Sequence, residues 1–333
     1  MSTVVLSAAC AELESLQVLS GLLAAELRER GETEVRFFEL ATAKLAYCQG
    51  EFDCWVKTPG LCRAHDVEQT IVQAIHDADN LVFLDAVTFG GHSYTLKRAQ
   101  DRLICLLSPF FEKRAALTHH EARYGRAANF FALGWVPVAD AGVSGTWAAL
   151  ADANALNMLA PHVGAAVVDD SAPSGWPAAI REMLASTAVP GSLITGRAPL
   201  RAALLEVAMG SVASNPAKAP SKAVIVVGSA KIKGTSLSEN VTRAMADRLV
   251  KQGVATDIRF ATDFLHDEKA RNTAREVAEA ELFVLVTPLY VDSFPALATR
   301  ALEWVAKARA ETTAPGRFAV MVNCGFPEPE HNR

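Results

Sequence analysis

Hydrophobic residues in the first half of this chain form short continuous runs, and segments with helical periodicity separate the runs. The runs are rich in Val, Leu and Phe and do not alternate with polar residues. This pattern is typical of parallel strands that helices cover on both faces of the sheet. We predict strands at Thr3–Ser7, Glu34–Leu40, Leu81–Ala86, Asn129–Val136 and Gly164–Val168, and helices at Leu13–Arg30, Val67–Ala78 and Leu96–Leu107.

The second half repeats this order of elements. Asn80 and the nine residues after it align without a gap on Glu281 and the nine residues after it, and in the following helices Leu96 aligns with Leu297. We therefore predict a tandem duplication of one α/β unit. The predicted strands are Ala223–Val227, Thr256–Phe260, Leu282–Val286 and Phe318–Val322, and the predicted helices are Leu237–Lys251, Ala270–Ala280 and Ala296–Arg309.

Between the two halves lies a stretch rich in Pro, Gly, Ala and Ser, which predicts a linker. We place a first domain at residues 1–186, the linker at 187–221 with one short helical pattern at Leu200–Met209, and a second domain at 222–333. The second copy shows no helix and fifth strand after Phe318–Val322. We expect either that the chain is a truncated form of a longer protein or that another chain completes the sheet.

Charge and composition exclude several classes of function. The formal net charge of −5, without a Lys/Arg cluster, argues against nucleic acid as a partner. The chain has no apolar run of the length that spans a membrane, and Glu12 and Glu14 lie where a signal peptide needs positive charge. We therefore expect a cytoplasmic protein, in which the six cysteines are free thiols or ligands and not disulfides.

A candidate anion site follows the predicted strand Ala223–Val227. The loop contains hydroxyl groups, lysines and glycine, and it leads into a helix whose N-terminus offers free N–H groups. Its sequence is neither GxGxxG nor GxxxxGK[ST], so a phosphate monoester such as that of FMN fits better than a dinucleotide or a nucleoside triphosphate. The alternative is an ordinary turn in which Ser and Thr cap the helix. The candidate phosphate ligands are Ser229, Lys231, Gly234, Thr235 and Ser236.

This loop and two later loops resemble those of the flavodoxin-like NAD(P)H-dependent FMN reductases and quinone reductases, which include multimeric flavodoxins and iron–sulfur flavoproteins. The resemblance implies an α/β fold of two tandem flavodoxin-like, doubly wound parallel sheets, the second lacking its last strand. It also implies FMN as cofactor and NAD(P)H as reductant. By this resemblance the flavin ring would lie against Thr287, Pro288, Leu289, Tyr290, Val291 and Asp292 after the third strand, and against Asn323, Cys324, Gly325 and Phe326 after the fourth.

The first half resembles the same family but departs from it in the first loop. The segments Cys48–Cys62 and Val87–Ser93 are similar to the cysteine-bearing segment and the flavin loop of the family. The loop Ser7–Glu14, however, has no glycine and carries two carboxylates in what we predict to be the first helical turn, which would repel a phosphate. We therefore expect FMN in the second half.

These observations predict an FMN-dependent oxidoreductase that passes a hydride from NAD(P)H through flavin to a quinone, a free flavin or a redox partner protein. No Ser-His-Asp set or carboxylate pair was found, so no catalytic side chain is assigned. The alternative is a non-catalytic flavodoxin-like electron carrier or assembly scaffold. Because family members bury the flavin edge between subunits, the resemblance also implies a homo-oligomer.

The cysteine segment has an open interpretation. Cys48, Cys54 and Cys62 could hold an iron–sulfur cluster or zinc, but Glu51 stands where relatives place another cysteine. We favour a structural role, with Cys54 and Cys62 buried, and assign no metal. For the adjacent pair His119-His120 we expect a loop or a subunit contact.

Overall fold

The computed structural model describes residues 1–114, 117–191, 219–313 and 315–326. The chain divides into two compact units, one formed by Met1–Ala46 with Phe52–Pro199 and the other by Tyr47–Glu51 with Leu200–Arg333. The helical pattern predicted at Leu200–Met209 and most of the predicted linker lie outside the described residues.

The first unit is built on a parallel sheet. Its strands are β1 (Ser2–Ser7), β2 (Glu34–Glu39), β3 (Asn80–Ala86), β4 (Leu107–Arg114), β5 (Leu117–Ala122), β6 (Asn129–Val136) and β7 (Val163–Asp169). Its helices are α1 (Glu14–Glu29), α2 (Asp53–Val56), α3 (Glu68–Asp77), α4 (Tyr94–Gln100), α5 (Ala141–Asn157) and α6 (Trp176–Leu184). The five-stranded sheet has the order β2-β1-β3-β6-β7, and all of its neighbouring strands are parallel. This is the flavodoxin-like order, with the antiparallel hairpin β4–β5 inserted before the fourth strand.

Helices cover both faces of this sheet. Ile71, Phe83 and Trp147 belong to the apolar cluster on one face, and Leu19 and Ile180 belong to the cluster on the other. The first six residues of β3 are all buried, which explains why this strand shows no alternation in the sequence. The prediction of a parallel sheet covered on both faces is confirmed.

The second unit repeats the architecture with fewer strands. It contains β8 (Lys222–Val227), β9 (Ala255–Phe260), β10 (Leu282–Pro288) and β11 (Arg317–Asn323), with α7 (Leu237–Lys251), α8 (Asp267–Ala278) and α9 (Ala296–Ala310). The strands are parallel in the order β11-β10-β8-β9. The fold class is therefore the predicted one: two flavodoxin-like sheets, with four strands in the second as far as the structure describes it.

Some predicted elements were wrong. The helix predicted at Leu96–Leu107 ends at Gln100, and a short 3₁₀ turn at Leu103–Leu106 leads directly into β4. His119 and His120 lie in strand β5 and not in a loop. Helices α5 and α6 were not predicted; α5 carries small and apolar residues around much of its circumference, so it offers little periodicity to detect.

The predicted alignment between the halves is shifted by one residue. Strand β3 begins at Asn80 and β10 at Leu282, so Asn80 corresponds to Leu282 and not to Glu281. The turns that follow agree with this shift, because positive φ angles occur at Phe89 and Gly90 in one unit and at Val291 and Asp292 in the other. The repeat is real, but a pairing based on residue types places it one residue too early.

The cysteine segment is anchored by hydrogen bonds rather than by deep burial. Cys54 and Cys62 are partly exposed, so the expectation that they are buried was wrong. The Trp55 indole N–H donates to the Leu107 carbonyl over 2.9 Å, and Arg123 donates to the Trp55 carbonyl over 2.8 Å. All six cysteines are free thiols. In the part of the chain that is described, no group of three His, Cys, Asp or Glu side chains could hold a metal ion.

Among the helices within the described ranges, none combines the length and the hydropathy needed to cross a bilayer.

Candidate functional site

The first loop of the candidate site leaves strand β8 at Gly228. The Gly228 N–H donates to the Val286 carbonyl over 2.7 Å, which keeps the loop against β10. A Cβ at this position would lie 2.5 Å from the Thr287 Cβ and Oγ1 atoms. Glycine is needed here because the two strand ends approach too closely for a side chain.

Helix α7 begins immediately after this loop, and Ser236 is its N-cap. The Ser236 Oγ accepts a hydrogen bond from the Glu239 N–H over 3.1 Å. Helix geometry leaves the N–H groups of Leu237 and Ser238 without an intrahelical partner. These two donors, the Ser236 hydroxyl and the positive end of the helix dipole form a local environment suited to an anion.

The other predicted phosphate ligands differ in their surroundings. Ser229 is buried, and its Oγ accepts a hydrogen bond from the Lys231 N–H over 3.3 Å. Thr235 is exposed and its hydroxyl donates to the Ile232 carbonyl over 2.6 Å, so that proton is already used inside the loop. The ammonium group of Lys233, in the same loop, lies 4.1 Å from the centre of the Phe260 ring.

Glu239 is a buried carboxylate that the sequence analysis missed. Its Oε2 accepts the Gly234 N–H and its Oε1 accepts from the Arg243 Nε over 3.1 Å. The Gly234 N–H bond holds the pKa of Glu239 below its usual range against the opposing effect of burial, and Arg243 adds to this. The signal was present in the sequence, since Ser236 and Glu239 have the S-x-x-E spacing of a capping box.

The second loop follows β10 and contains a tight turn. Thr287 is fully buried and Pro288 is the last residue of the strand. The Tyr290 N–H donates to the Ser293 carbonyl over 2.9 Å and the Ser293 N–H donates back over 3.2 Å. Val291 and Asp292 between them have φ angles of 45° and 60°. Positive φ at a β-branched residue is strained, and such strain is concentrated at functional sites.

The third loop follows β11 and joins the other two through Asn323. The Asn323 carbonyl accepts the Leu289 N–H over 2.9 Å, and the Asn323 side-chain oxygen accepts the Ser238 hydroxyl over 2.8 Å. The residues after Asn323 form a short turn in which the Cys324 thiol lies 3.6 Å from the Phe326 carbonyl, and Gly325 between them is exposed. One residue thus connects the flavin-type loop after β10 to the first turn of α7.

The corresponding position in the first unit is built differently. The loop between β1 and α1 has six residues, against nine between β8 and α7, and no side chain caps α1. Glu14 is the first residue of α1, whereas Glu12 precedes the helix, so only one of the two predicted carboxylates is in the first turn. The buried Asp85 occupies the position equivalent to Thr287 and accepts hydrogen bonds from the N–H and the hydroxyl of Ser93.

The donor set of the second unit fits an FMN phosphate. The fit rests on the two N–H groups of the first turn of α7 together with the Ser236 hydroxyl, since hydroxyl and backbone donors at a helix N-terminus suit a phosphate monoester. The first unit lacks an equivalent hydroxyl cap, and the Asp85 carboxylate lies in β3 one residue before the end of the strand, ahead of the second loop.

Comparison with known proteins gives one family and several distant structural matches. Residues 221–327, just under a third of the chain, match the model of the family described as NADPH-dependent FMN reductase. A search of curated proteins found no match. Three solved structures each match over 54% of this chain. An NAD(P)H:quinone oxidoreductase from Methanothermobacter marburgensis is 14% identical, is matched over 95% of its own chain and has a TM-score of 0.43. Azoreductase AzrA and an azoreductase from Bacillus anthracis str. Sterne are 13% and 15% identical, are each matched over 93% of their own chains and have TM-scores of 0.38 and 0.34.

The three TM-scores lie below 0.5, so the assignment rests on the family match. That match covers the second unit from just before β8 through β11 and therefore contains all three loops described above. A domain of this kind is an enzyme with FMN as cofactor and NAD(P)H as reductant. The comparisons therefore identify residues 221–327 as similar to the NADPH-dependent FMN reductase family.

Proposed function

We propose that this chain is an FMN-dependent oxidoreductase with its flavin in the second unit. In this proposal the FMN phosphate lies at the N-terminus of α7 and the ring lies along the loops after β10 and β11. Electrons from NAD(P)H pass through the flavin to a quinone, a free flavin or a redox partner protein. The observation that carries the proposal is the pair of hydrogen bonds made by Asn323, because they bring the ring loop and the phosphate helix together.

The side chains in this proposal bind and orient rather than react. Ser236 and the N–H groups of Leu237 and Ser238 hold the phosphate, and Asn323 fixes the ring loop through the Leu289 N–H. The strained turn at Val291 and Asp292 presents backbone groups beside the ring edge. The flavin itself supplies the hydride and electron chemistry when it is bound.

The purified protein distinguishes this proposal from the alternatives. We expect the visible absorption of bound flavin, bleaching of that absorption when NADPH is added without air, and recovery when a quinone is added. Bound flavin that NAD(P)H cannot reduce would indicate an electron carrier. Protein that binds no FMN even when FMN is supplied would indicate a scaffold and refute the proposal.

Charge substitutions test the location of the phosphate. Thr235→Asp combined with Ser236→Asp should abolish FMN binding, because carboxylates would meet the phosphate at the start of α7. The control is Asn272→Asp, which adds a carboxylate at an exposed position of α8 in the same unit. Undiminished FMN content in the double variant would place the phosphate elsewhere.

A further inference from the structure

Glu239 is the buried charged residue closest in sequence to the proposed phosphate site, and it does not bind the ligand in the arrangement above. We infer that Glu239 is a positioning residue: it holds the loop that ends at Ser236 in the shape that receives the FMN phosphate, and Arg243 balances its charge. The inference rests on the proposed function. It makes Glu239 responsible for the preference of the site for FMN over a flavin without a phosphate.

The geometry ties two parts of the loop to one residue. The Glu239 N–H donates to the Ser236 Oγ over 3.1 Å, while the Glu239 carboxylate accepts the Gly234 N–H. Because its oxygen accepts from Glu239, the Ser236 hydroxyl has its proton available for another acceptor. Glu239 therefore fixes both the bend at Gly234 and the orientation of Ser236.

The Thr235 N–H and hydroxyl, which both donate to the Ile232 carbonyl, close the turn on one side of Gly234, and Glu239 anchors the Gly234 N–H itself. Gly234 has a φ of +86°, and no heavy atom lies within 4 Å of the position that its Cβ would occupy. Glycine is present for its backbone conformation and not for lack of space, and glycine is the residue with the most conformational freedom to lose. A charge-assisted hydrogen bond from its N–H to Glu239 offsets that loss.

The charge of Glu239 would be unfavourable next to a phosphate if it stood alone. Its side chain is only 2% exposed, but its Oε1 receives both the Nε and the Nη2 of Arg243. The Arg243 side chain is 60% exposed, so the cation lies at the surface and the anion inside. The pair keeps the carboxylate available as an acceptor for Gly234 while limiting its repulsion of an incoming dianion.

Comparing FMN with riboflavin isolates this role, because riboflavin has the same ring without the phosphate. We expect Glu239→Ala to weaken FMN binding by about tenfold or more, the loss of one charge-assisted hydrogen bond, and to leave riboflavin binding within about twofold. Glu239→Gln keeps an acceptor for the Gly234 N–H and should recover most of the lost FMN selectivity. Both dissociation constants are measured by quenching of flavin fluorescence on the purified apoprotein.

The matched control is Val277→Ala, which removes buried packing on the α8 and α9 side of the second sheet. It should lower thermal stability without changing the ratio of the FMN and riboflavin constants. Equal weakening of both flavins by Glu239→Ala, or unchanged FMN binding, would overturn the positioning role while leaving the proposed function intact. Wild-type protein that binds neither flavin would overturn both.

Discussion

Replacing Glu68 with Gln should stabilise the first unit at alkaline pH and change it little at acid pH. Glu68 is the first residue of α3 and is only 1% exposed. Its Oε2 lies 3.5 Å from the Arg102 Nη2, but Arg102 makes its closer ion pair, at 2.6 Å, with Asp66. On the other side, its Oε1 lies 4.0 Å from the thiol of the buried Cys105. The carboxylate is thus removed from water with incomplete compensation.

Burial raises the pKa of Glu68 from 4.5 to about 7, with Asp66 adding to the increase and Arg102 opposing it. Below about pH 4.5 both the folded and the unfolded chain carry the proton. Between the two pKa values the folded chain binds more protons than the unfolded chain, so stability falls as pH rises. A difference of this size corresponds to about 3 kcal/mol, all of it lost above the folded pKa.

The assay is thermal unfolding of wild type and Glu68→Gln from about pH 5 to about pH 8.5, followed by near-ultraviolet circular dichroism. Gln cannot ionise, so the difference in melting temperature should grow in favour of the variant across this range. Each 1 kcal/mol moves the midpoint by about 2–4 °C in a unit of this size.

The control for this experiment is Asp169→Asn, at the end of β7 in the same unit. Hydrogen bonds from the Ser171 hydroxyl and from the N–H groups of Ala139 and Ser171 hold the pKa of Asp169 below its usual range. The contribution of Asp169 is complete above about pH 4 and is lost only as pH falls through the lowered pKa, so Asp169→Asn should differ from wild type by a constant amount across the tested range. A difference between wild type and Glu68→Gln that does not change with pH would refute the reasoning.

Three further outcomes follow from the same contacts. Gly228→Ala should lower the unfolding free energy by about 1–3 kcal/mol, because the added Cβ forces the ends of β8 and β10 apart. Gly234→Ala should lower it by about 1 kcal/mol through backbone strain alone, and urea unfolding at equal flavin content compares the two variants. Cys54→Ala and Cys62→Ala should each lower the unfolding free energy by less than about 1 kcal/mol, because both thiols are partly exposed, and should leave the visible spectrum unchanged. Iron in the wild-type protein, together with a loss of visible absorption in either variant, would contradict this. Among the described strands β11 lies at the edge of its sheet with exposed apolar side chains such as Phe318, so we expect a dimer by light scattering, and a monomer at every concentration would contradict this.

The sheets could be predicted because their signal is local. The apolar run Ala223–Val227 is fully buried in β8, and helix α7 begins and ends at the predicted residues Leu237 and Lys251. Each of these elements has one dominant environment, either buried on both faces or packed along one stripe. In such elements hydrophobicity along the chain maps directly onto position in the fold.

The hairpin β4–β5 could not be predicted for the opposite reason. Its strands mix exposed Phe110 and Phe111 with partly buried polar residues, and the two strands form a separate two-stranded sheet. The apolar residues at Leu103–Leu106 continue the spacing of helix α4, so a single helix through Leu107 satisfied the pattern. The end of α4 is set by tertiary contacts, and the periodicity of hydrophobic residues carries no information about such contacts.

The candidate site shows the same division between local and non-local information. The cap at Ser236 and the glycine at position 234 are local features, and the sequence indicated both, whereas glycine is needed at position 228 because Thr287 approaches from another strand. The contacts of Asn323 with Leu289 and Ser238 join residues 34 and 85 positions apart, counting from Asn323, and no sequence spacing specifies them. The missed Glu239 lies between these cases, because its spacing from Ser236 was visible but its bond to Gly234 was not.

Besides the inserted hairpin and the fifth strand of the first unit, the two units differ at the loop before the first helix. Both place a glycine or alanine at the end of their first strand, with a backbone N–H bonded to the third strand: Gly228 to Val286, and Ala8 to Leu84. After that point the second unit has three more loop residues and ends them on a hydroxyl cap, whereas the first enters α1 uncapped behind Leu13. The Ser236 hydroxyl at this cap is a hydrogen-bonding group that the start of α1 does not have. In the proposed arrangement this loop supplies the phosphate site of the second unit, while the four strands that the two units share have the same order in both.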